Sequence, residues 1–440
     1  MPRETTWRIL RSASPAPLLA VDRFAAEANL TARDRGLVRR MVGTEIRRRG
    51  TLRAVVRQFA RGKPKADLLA HLHVGLVQLL FLDGVPPHAA VSETVRATAN
   101  TLGLAKARYM NGVLRTVQRA LLNELTGDAR RDIVGRGLSF EEPIFKDPEE
   151  HPLLWAEDAL SMPANLMKRW IKRYGQEAAF ELGRAAMGEP DMSLRVVGIE
   201  RAELEKELAA LDLSTRPAEH PDVLVIDPGH AEQVIGSESF KAGRFTIQGE
   251  TALRAAEFLQ AQAGERLLDM CAAPGGKTMV LAGSGASVVA TDRSPQRLAR
   301  MASNLERLKV PGKVQCVATD GVGGLNEGKF DGVLVDVPCS NTGVLSARPN
   351  ARWRFGPRSQ GDLTTLQARL LQEAATRVRS GGRLVYSTCS LESEENGRQI
   401  RAFLEANPGW TLEEERENTP AAPGGAGPID GGYAARLRAT

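Results

Sequence analysis

The sequence predicts a multidomain protein in which an all-α domain precedes an α/β domain with a parallel sheet, joined by a small connecting subdomain. The chain has 440 residues, more than one hydrophobic core usually serves. Apolar residues recur at helical spacing in its first part, whereas short β-rich runs alternate with helical segments after about residue 230. The predicted domains span residues 1–135, 145–230 and 235–440.

The composition excludes several classes of protein. Hydrophobic residues make up 42% and charged residues 25% of the chain, which is typical of a globular protein. No apolar stretch reaches the roughly 20 residues that a membrane span needs. The nearest candidate, residues 68–82, is interrupted by His71 and His73 and is predicted to be a buried helix. Residues 1–10 carry charges and no apolar core, so we expect a cytoplasmic protein with no membrane partner.

Positive charge is concentrated in the first domain. Residues 1–140 hold 24 Lys+Arg against 11 Asp+Glu, a net +13, so the remainder carries −7 of the formal total of +6. A basic module attached to a mildly acidic one suggests a polyanionic partner, with RNA as the leading candidate. The alternative is a solvated surface rich in arginine. The densest cluster comprises Arg33, Arg35, Arg39, Arg40, Arg47, Arg48 and Arg49.

The elements of the first two domains follow from periodicity and from proline. Helical spacing of apolar residues around 52–59 continues into the run at 68–82, which Pro86 and Pro87 terminate. Residues 135–152 are polar and contain proline, which predicts a linker followed by further helices. Residues 213–230, with three prolines, form a weaker break before the β-rich pattern begins.

Five short apolar runs predict the strands of the parallel sheet: residues 266–270, 287–291, 314–318, 332–336 and 383–387. A helix is predicted to begin near Lys277, between the first two strands. Leu298, Met301, Leu305 and Leu308 form an amphipathic stripe between the second and third. These are βαβ units, and ligands of such open sheets bind beyond the carboxyl ends of the strands.

The first strand ends in a glycine turn at residues 269–278. A Walker A motif would need a glycine five residues before Gly276, where Cys271 stands, and the spaced glycines of a dinucleotide fingerprint are missing. A nucleoside cofactor without a pyrophosphate remains. Asp292, after the second strand, is placed to accept hydrogen bonds from a ribose, and Asp320, after the third, to hold an adenine amino group. Each acid alone would more often cap a helix or solvate a loop.

The four cysteines match neither a zinc framework nor a disulfide pattern, so we expect no metal site. Cys339 and Cys389 each follow a predicted strand beside polar residues, where catalytic groups of this architecture collect. We therefore interpret these two as reactive. Cys271 and Cys316 are predicted to fill the core, although Cys271 is also placed to lend its backbone to a cofactor loop.

Three motifs, at residues 269–278, 336–344 and 386–390, together resemble the NOL1/NOP2/Sun family of RNA cytosine-C5 methyltransferases. The resemblance covers about residues 150–440, with softer matches at 163–174 and 430–434. The basic helical module is similar to NusB-like RNA-binding domains. The combination resembles bacterial 16S rRNA methyltransferases. Gln248-Gly249-Glu250 departs from the Gln-Asp that family members tend to carry there, which leaves the role of this segment open.

The resemblance implies a Rossmann-like domain that binds S-adenosyl-L-methionine, and a monomer that acts on 16S rRNA, free or within a pre-ribosomal particle. It implies that Cys389 attacks carbon 6 of cytosine as a thiolate, that Cys339 assists its release as a general base, and that Asp336 contacts the base. Nearby positive charge or hydrogen-bond donors are expected to favour that thiolate. The implied cofactor-binding residues are Cys271, Ala272, Ala273, Pro274, Gly275, Gly276, Lys277, Asp292, Asp320 and Asp336.

The sequence allows more than one interpretation of residues 348–354 and of the function of the chain. Residues 348–354 contain three arginines and Trp353, and they either bind phosphates and stack a base or pack the indole into the domain. An enzyme acting on tRNA or another RNA, and a noncatalytic RNA-binding or assembly factor, are the rival functions. A small-molecule methyltransferase is a third candidate, which leaves the basic module and the paired cysteines unexplained.

Overall fold

A computed structural model of the chain describes residues 1–12, 14–325, 328–421 and 429–440. These residues divide into two compact units. The first unit comprises residues 1–188 together with 352–354, and the second comprises 189–351 together with 355–440.

The first unit is built almost entirely of helices, as the periodicity predicted. A two-residue antiparallel pair of strands, β1 (Leu121–Leu122) and β2 (Ser139–Phe140), is added to them. The helices are α1 (Pro2–Arg11), α2 (Pro17–Glu27), α3 (Ala32–Phe59), α4 (Ala66–Phe81), α5 (Pro87–Leu102), α6 (Leu104–Arg119), α7 (Pro152–Ala159), α8 (Ala164–Tyr174) and α9 (Gln176–Ala185).

Local chemistry sets where these helices begin and which faces they bury. Proline occupies the first turn of α2, α5 and α7, where its missing N–H costs nothing and its fixed φ suits a helix. Thr31 caps α3 by accepting a hydrogen bond from the Asp34 N–H at 3.2 Å. Helix α4 is buried, as predicted, and its two histidines are paired: His71 with the Thr101 hydroxyl at 2.7 Å, His73 with Glu45 at 2.9 Å.

The segment 135–152, predicted to be a linker, is instead packed into the first unit. Phe140 is fully buried and Phe145 is 5% exposed, and Ser139–Phe140 forms the strand β2. The prediction was wrong because it weighed the polar and proline residues of the stretch. Two aromatic side chains supply enough apolar area to anchor the backbone between them.

A small antiparallel sheet opens the second unit, and the sequence pattern did not predict it. Its strand order is β4-β5-β3-β6. The strands are β3 (Met192–Val196), β4 (Thr215–Pro217), β5 (Val223–Ile226) and β6 (Phe245–Ile247), accompanied by α10 (Arg201–Ala209), α11 (Ala231–Gly236) and α12 (Glu238–Lys241).

The larger sheet of the second unit has the order β12-β13-β11-β10-β7-β8-β9. Strands β7 to β11 are parallel, as predicted, and β12 and β13 add an antiparallel edge. The strands are β7 (Arg266–Met270), β8 (Ser287–Asp292), β9 (Val314–Ala318), β10 (Phe330–Asp336), β11 (Val378–Thr388), β12 (Trp410–Asn418) and β13 (Gly432–Ala439). The helices are α13 (Glu250–Glu257), α14 (Gly276–Gly283), α15 (Pro295–Leu308), α17 (Pro357–Thr376) and α18 (Gly397–Ala406), with a 3₁₀ turn at Thr342–Val344. The short helix α16 (Ala351–Arg354) precedes α17 in the chain, and its residues 352–354 belong to the first unit.

Helices cover both faces of this sheet, which is why the middle of a central strand such as β10 is apolar on both faces. On β10, Val333 and Val335 pack in one cluster with Leu371 of α17. Leu334, which points to the opposite face, packs in another cluster with Leu281 of α14. Alternate residues of a strand thus enter two different cores, as expected for a parallel sheet buried on both sides.

The strand order creates a crevice at the carboxyl ends of β7 and β10, two neighbouring strands in the middle of the sheet. From β7 the chain moves outward through β8 to β9, and then crosses back to β10 on the other side of β7. The connections after β7 and β10 therefore leave the sheet in opposite directions. Ligands of open α/β sheets bind at such a point, beyond the carboxyl ends of the strands.

Candidate active site

A cavity of ≈ 650 Å³ lies at the carboxyl ends of β7, β10 and β11. Its lining includes the turn after β7 (271–274, 276–277), Asp336 at the end of β10 and residues 387–389 at the end of β11. Residues 247–252, which run from the end of β6 into α13, and residues 430–434, which enter β13, also line it. The volume falls in the range of about 300–1,000 Å³ that small-molecule sites occupy.

The turn between β7 and α14 requires glycine at position 275. Gly275 has φ +100°, a left-handed conformation that residues with a side chain rarely adopt. A Cβ there would stand 2.3 Å from Cγ and 2.8 Å from Sδ of Met301 in α15. The glycine therefore lets α14 begin immediately at the floor of the cavity and allows α15 to pack against the turn.

The two cysteines predicted to react lie in contact. Sγ of Cys339 and Sγ of Cys389 are 2.9 Å apart, and the Cys389 sulfur is 3.4 Å from Oδ1 of Asn341. The N–H of Gly343 donates to the Cys389 carbonyl at 3.0 Å, which ties the loop after β10 to the loop after β11. Cys389 lines the cavity, whereas Cys339 is not among the lining residues.

The environment of the sulfur pair favours a proton on Cys339. Its hydrogen bond to Cys389, its burial and the charge on Cys389 raise the pKa of the Cys339 thiol well above its usual value. The Cys339 thiol can therefore donate towards Cys389. Cys389 is the sulfur that faces the cavity, so it is the one positioned to react with a bound molecule.

A lysine and an aspartate adjoin this pair. Nζ of Lys277 lies 2.8 Å from Oδ2 of Asp336, and the Ser387 hydroxyl donates to Oδ1 of Asp336 at 2.8 Å. Burial opposes the charge of Lys277, but the Asp336 carboxylate, its hydrogen bond and the charge on Cys389 together raise the pKa of the ammonium. Lys277 thus stays protonated and supplies positive charge next to both Asp336 and Cys389.

Buried polar atoms line the cavity without a hydrogen-bond partner among the described residues. They are Nε2 and Oε1 of Gln248, a side chain that is 6% exposed, and Oδ1 of the fully buried Asp269. The other oxygen of Asp269 accepts from the Thr278 hydroxyl at 2.5 Å, and burial raises the pKa of this carboxyl to about 7. Buried polar groups normally find partners, so these atoms suit a polar ligand.

Most of the residues predicted to bind a cofactor gather at this cavity, but three do not line it. Gly275 is part of the turn, directly before α14, but it is not at the surface of the cavity. Asp292 is 3% exposed; it accepts from the Ser294 N–H at 2.9 Å and pairs with Arg297 at 3.0 Å. Asp320 is exposed and pairs with Arg369 at 3.4 Å. The proposed ribose contact of Asp292 and adenine contact of Asp320 stay predictions.

The two cysteines predicted to fill the core differ. Cys271 lines the cavity with φ +61°, and burial raises the pKa of its thiol to about 12, so it is an unreactive part of the turn. Cys316 is exposed on β9, and the prediction for it was wrong. Strand β9 is the edge of the large sheet, so fewer neighbours cover it than cover the central strands.

The structure shows the packing of the last three residues of the segment 348–354. Residues 352–354 belong to the first unit, where Trp353 donates its ring N–H to the Ile46 carbonyl at 2.8 Å and the Arg49 guanidinium lies 5.4 Å from its ring. Arg352 is fully buried, and burial lowers its pKa to about 9. The Trp353 indole is therefore packed into the first unit, which is one of the two alternatives that the sequence left open; the other was base stacking.

Sequence reasoning missed three polar residues at or next to the site. Gln248 and Asp430 line the cavity, and Glu395 is fully buried behind the two cysteine loops. Gln248 lies in the segment 248–250 that departs from the family pattern, and Asp430 lies in the segment 430–434 that matches the family only weakly. Glu395 lies in the acidic stretch 392–395, and such a run normally indicates a solvated loop.

No helix in the described parts of the chain is both long and apolar enough to cross a bilayer. Two family models match the sequence: "NusB family" over residues 6–119 and "16S rRNA methyltransferase RsmB/F" over residues 256–425. The first covers helices of the first unit, and the second covers most of the large sheet and the turn at Gly275.

Known proteins resemble the chain over most of its length. A ribosomal RNA small subunit methyltransferase B from Klebsiella pneumoniae is 34% identical over 363 residues, which are 80% of this chain and 76% of that protein. A probable ribosomal RNA small subunit methyltransferase B from Synechocystis is 33% identical over 410 residues, covering 90% and 86%. The crystal structure of PH0851 shares the fold, with a TM-score of 0.75 at 22% identity over 99% of this chain and 98% of that one. The chain therefore belongs to the RsmB family of 16S rRNA methyltransferases, in which a NusB domain precedes the methyltransferase domain.

Proposed function

We propose that this protein transfers the methyl group of S-adenosyl-L-methionine to carbon 5 of a cytosine in 16S rRNA, through a transient bond between Cys389 and carbon 6. One observation carries the proposal: two sulfurs 2.9 Å apart, one of which lines a ligand-sized cavity that also contains the turn after β7. A single thiol could be a passive core residue. A pair in contact at a cavity matches a reaction that must both form and break a carbon–sulfur bond.

The residues of the cavity fit S-adenosyl-L-methionine. Its methionine end offers both an ammonium and a carboxylate, and the unpartnered atoms of Gln248 and Asp269 provide acceptors and a donor for such groups. Cys271, Ala272, Ala273, Pro274, Gly276 and Lys277 line the cavity and would surround the cofactor. When bound, the cofactor supplies an electrophilic methyl group on a sulfonium.

The side chains of this site account for each change on the base. The Cys389 thiolate would add to carbon 6, and the electron pair displaced to carbon 5 would form the new bond to the methyl group while the bond from that methyl group to the cofactor sulfur breaks. Asp336, which is 34% exposed beside Lys277, would accept a hydrogen bond from the cytosine amino group and, when N3 is protonated, from the N3–H, which stabilises the protonated form. Once Cys389 is bonded to carbon 6, its negative charge no longer opposes ionisation of Cys339, which then releases its thiol proton to solvent. The Cys339 thiolate would remove the proton from carbon 5, and the bond from Cys389 to carbon 6 would break to restore the ring and the Cys389 thiolate.

RNA is the proposed partner, and the first unit is the proposed site of its main electrostatic contacts. Its α3 helix carries all seven arginines of the basic cluster, and Arg33, Arg35 and Arg40 on it are at least partly exposed. Phosphate contacts of this kind weaken steeply as salt concentration rises. The target cytosine must also leave any stack to reach Cys389, so unpaired or loop RNA is the easier substrate.

Replacement of Cys389 by Ala tests the covalent step. We expect Cys389→Ala to abolish methyl transfer from labelled cofactor to 16S rRNA, with cofactor affinity measured by calorimetry retained. The matched control is Cys316→Ala, because that cysteine is exposed on β9 and does not line the cavity. Full methyl transfer by Cys389→Ala would refute the mechanism.

The choice of substrate needs a separate experiment. Labelled S-adenosyl-L-methionine is incubated with 16S rRNA, partial small-subunit particles and tRNA, and the modified nucleoside is then identified by mass spectrometry. Label in 5-methylcytidine of 16S rRNA supports the proposal. Label confined to tRNA, or to another position of the base, would contradict it.

A further inference from the structure

Glu395 is a buried carboxylate between the two cysteine loops, and no step of the proposed methyl transfer uses it. Its side chain is fully buried. Oε2 accepts from the backbone N–H of Ser340, the residue after Cys339, at 2.9 Å. Oε1 accepts from the hydroxyl of Ser390, the residue after Cys389, also at 2.9 Å. One carboxylate therefore accepts hydrogen bonds from Ser340 and from Ser390, the residues that directly follow the two cysteines.

Two further contacts reinforce this junction. Nε2 of Gln367, which is fully buried on α17, donates to Oε2 of Glu395 at 2.9 Å and to the Pro338 carbonyl at 2.9 Å. The Tyr386 hydroxyl donates to the backbone carbonyl of Glu395 at 2.6 Å. The loop after β10 is thus held on both sides of Cys339, and the Glu395 segment is fixed to β11.

The energetics favour a specific role over a structural accident. Burying a carboxylate is costly unless it is fully hydrogen-bonded, and no contact of its side chain among the described residues is with a cation. An apolar side chain would fill the same space at lower cost. The three donors that converge on Glu395 belong to α17 and to the loops that carry Cys339 and Cys389.

We propose that Glu395 is a positioning residue that holds the loops of Cys339 and Cys389 in register, so that the two sulfurs stay in contact during catalysis. This inference rests on the proposed function of those cysteines. Glu395 lies behind the sulfurs and does not line the cavity, so it acts through the loops.

Its charge has a second effect, on the protonation of Cys339. The titratable groups that interact with Cys339 include Cys389, Glu395 and Tyr386, while Lys277 interacts in turn with Cys389. The hydrogen bond to Cys389 contributes most to the raised pKa of Cys339, and the negative charge of Glu395 adds to it. Removing that charge without moving the loops should therefore lower the pKa of Cys339.

Two substitutions separate position from charge. Glu395→Gln can keep all three contacts, because its carbonyl oxygen can accept from Ser340 and Gln367 while its amide donates to the Ser390 hydroxyl, which can also accept. Glu395→Ala removes every acceptor. A displacement of about 1 Å in a catalytic site can cost about 100-fold in rate, and we expect a loss of that order in kcat for Glu395→Ala. Cofactor affinity should be unchanged, and Glu395→Gln should keep most of the turnover.

The pH dependence of Cys339 alkylation tests the effect of the Glu395 charge, because a purely structural role of Glu395 would leave this pH dependence unchanged. The full chain is treated with iodoacetamide over a range of pH, and the Cys339 peptide is quantified by mass spectrometry. In Glu395→Gln the midpoint of its reactivity should move to lower pH than in the wild-type protein. An unchanged midpoint would overturn the effect of the charge.

The matched control for the loss of a carboxylate is Asp331→Ala. Asp331 likewise accepts from a backbone N–H, that of Arg266 at 2.7 Å, and it pairs with Arg379, but it lies at the opposite end of β10 from the site. We expect Asp331→Ala to lower stability and to leave kcat at the wild-type level. Ser390→Ala, which removes one donor to Glu395, serves if Glu395→Ala does not fold, and its kcat should fall in the same direction.

Each outcome bears on a different claim. Wild-type kcat in folded Glu395→Ala overturns the positioning role, and so does wild-type kcat in Ser390→Ala if Glu395→Ala is insoluble. If Cys389→Ala is inactive while Glu395→Ala matches Asp331→Ala, this inference alone fails. If Cys389→Ala still transfers methyl groups to RNA, the proposed function fails first.

Discussion

Replacing Gly275 by Ala should destabilise the turn that forms the floor of the cavity. Two costs follow from its geometry. A residue with a side chain in the left-handed conformation found here, φ +100°, costs about 1–2 kcal/mol. The added Cβ would also stand 2.3 Å from Cγ of Met301, and overpacking of this kind costs about 1–3 kcal/mol. The expected loss of stability is the combination of the two, about 2–5 kcal/mol.

Hydrogen exchange measured by mass spectrometry on peptides from β7 and α14 reports this loss locally, in the full chain. Each 1.4 kcal/mol should speed exchange about tenfold. The matched control is Gly264→Ala, because Gly264 has φ +84° and its Cβ would meet nothing within 4 Å. The control isolates the backbone cost, so Gly275→Ala should exceed it by about 1–3 kcal/mol.

The clash can be tested independently. In a Met301→Ala background the space that Met301 occupied is open, so the added cost of Gly275→Ala should fall to that of Gly264→Ala. Equal effects of Gly275→Ala and Gly264→Ala in the wild-type background would refute the argument. So would a Gly275→Ala cost that Met301→Ala leaves unchanged.

Three further predictions follow from the site. Burial raises the pKa of Asp269 from 3.8 to about 7, so between these values the folded state holds a proton that the unfolded chain releases. The free energy of unfolding should therefore fall as pH rises from about 4 to 7. Denaturant titrations of Asp269→Asn should show a weaker dependence on pH. Lys277→Met leaves Asp336 without its cation and should lower kcat by at least about tenfold, measured with labelled cofactor; unchanged kcat would show that the pair is not used. Cys339→Ala should accumulate a protein–RNA adduct on a denaturing gel, and the absence of an adduct would count against its role in release.

The sequence alone determined the fold class, and it predicted that Cys339 and Cys389 lie together. Largely apolar runs of five residues at 266–270 and 314–318 correspond to strands β7 and β9 residue for residue. In the central strand β7 the apolar residues are buried, as expected for a parallel strand covered on both faces, whereas the edge strand β9 stays partly exposed. The position of Cys339 and Cys389 directly after such strands was enough to predict that they meet. The carboxyl ends of parallel strands share one edge of the sheet.

Only the tertiary structure decided which polar groups surround that pair. The packing of residues 135–152 depends on a few apolar side chains in polar surroundings, which carry no periodic signal. The small sheet β3–β6 was missed although β5 is a run of four buried apolar residues, because the prolines on either side of that run indicate a break. The burial of Glu395 and of Gln248 depends on which distant segments cover them. Sequence spacing reports the direction of a side chain within its own element, whereas solvent exclusion is set by neighbours that are tens to hundreds of residues away along the chain.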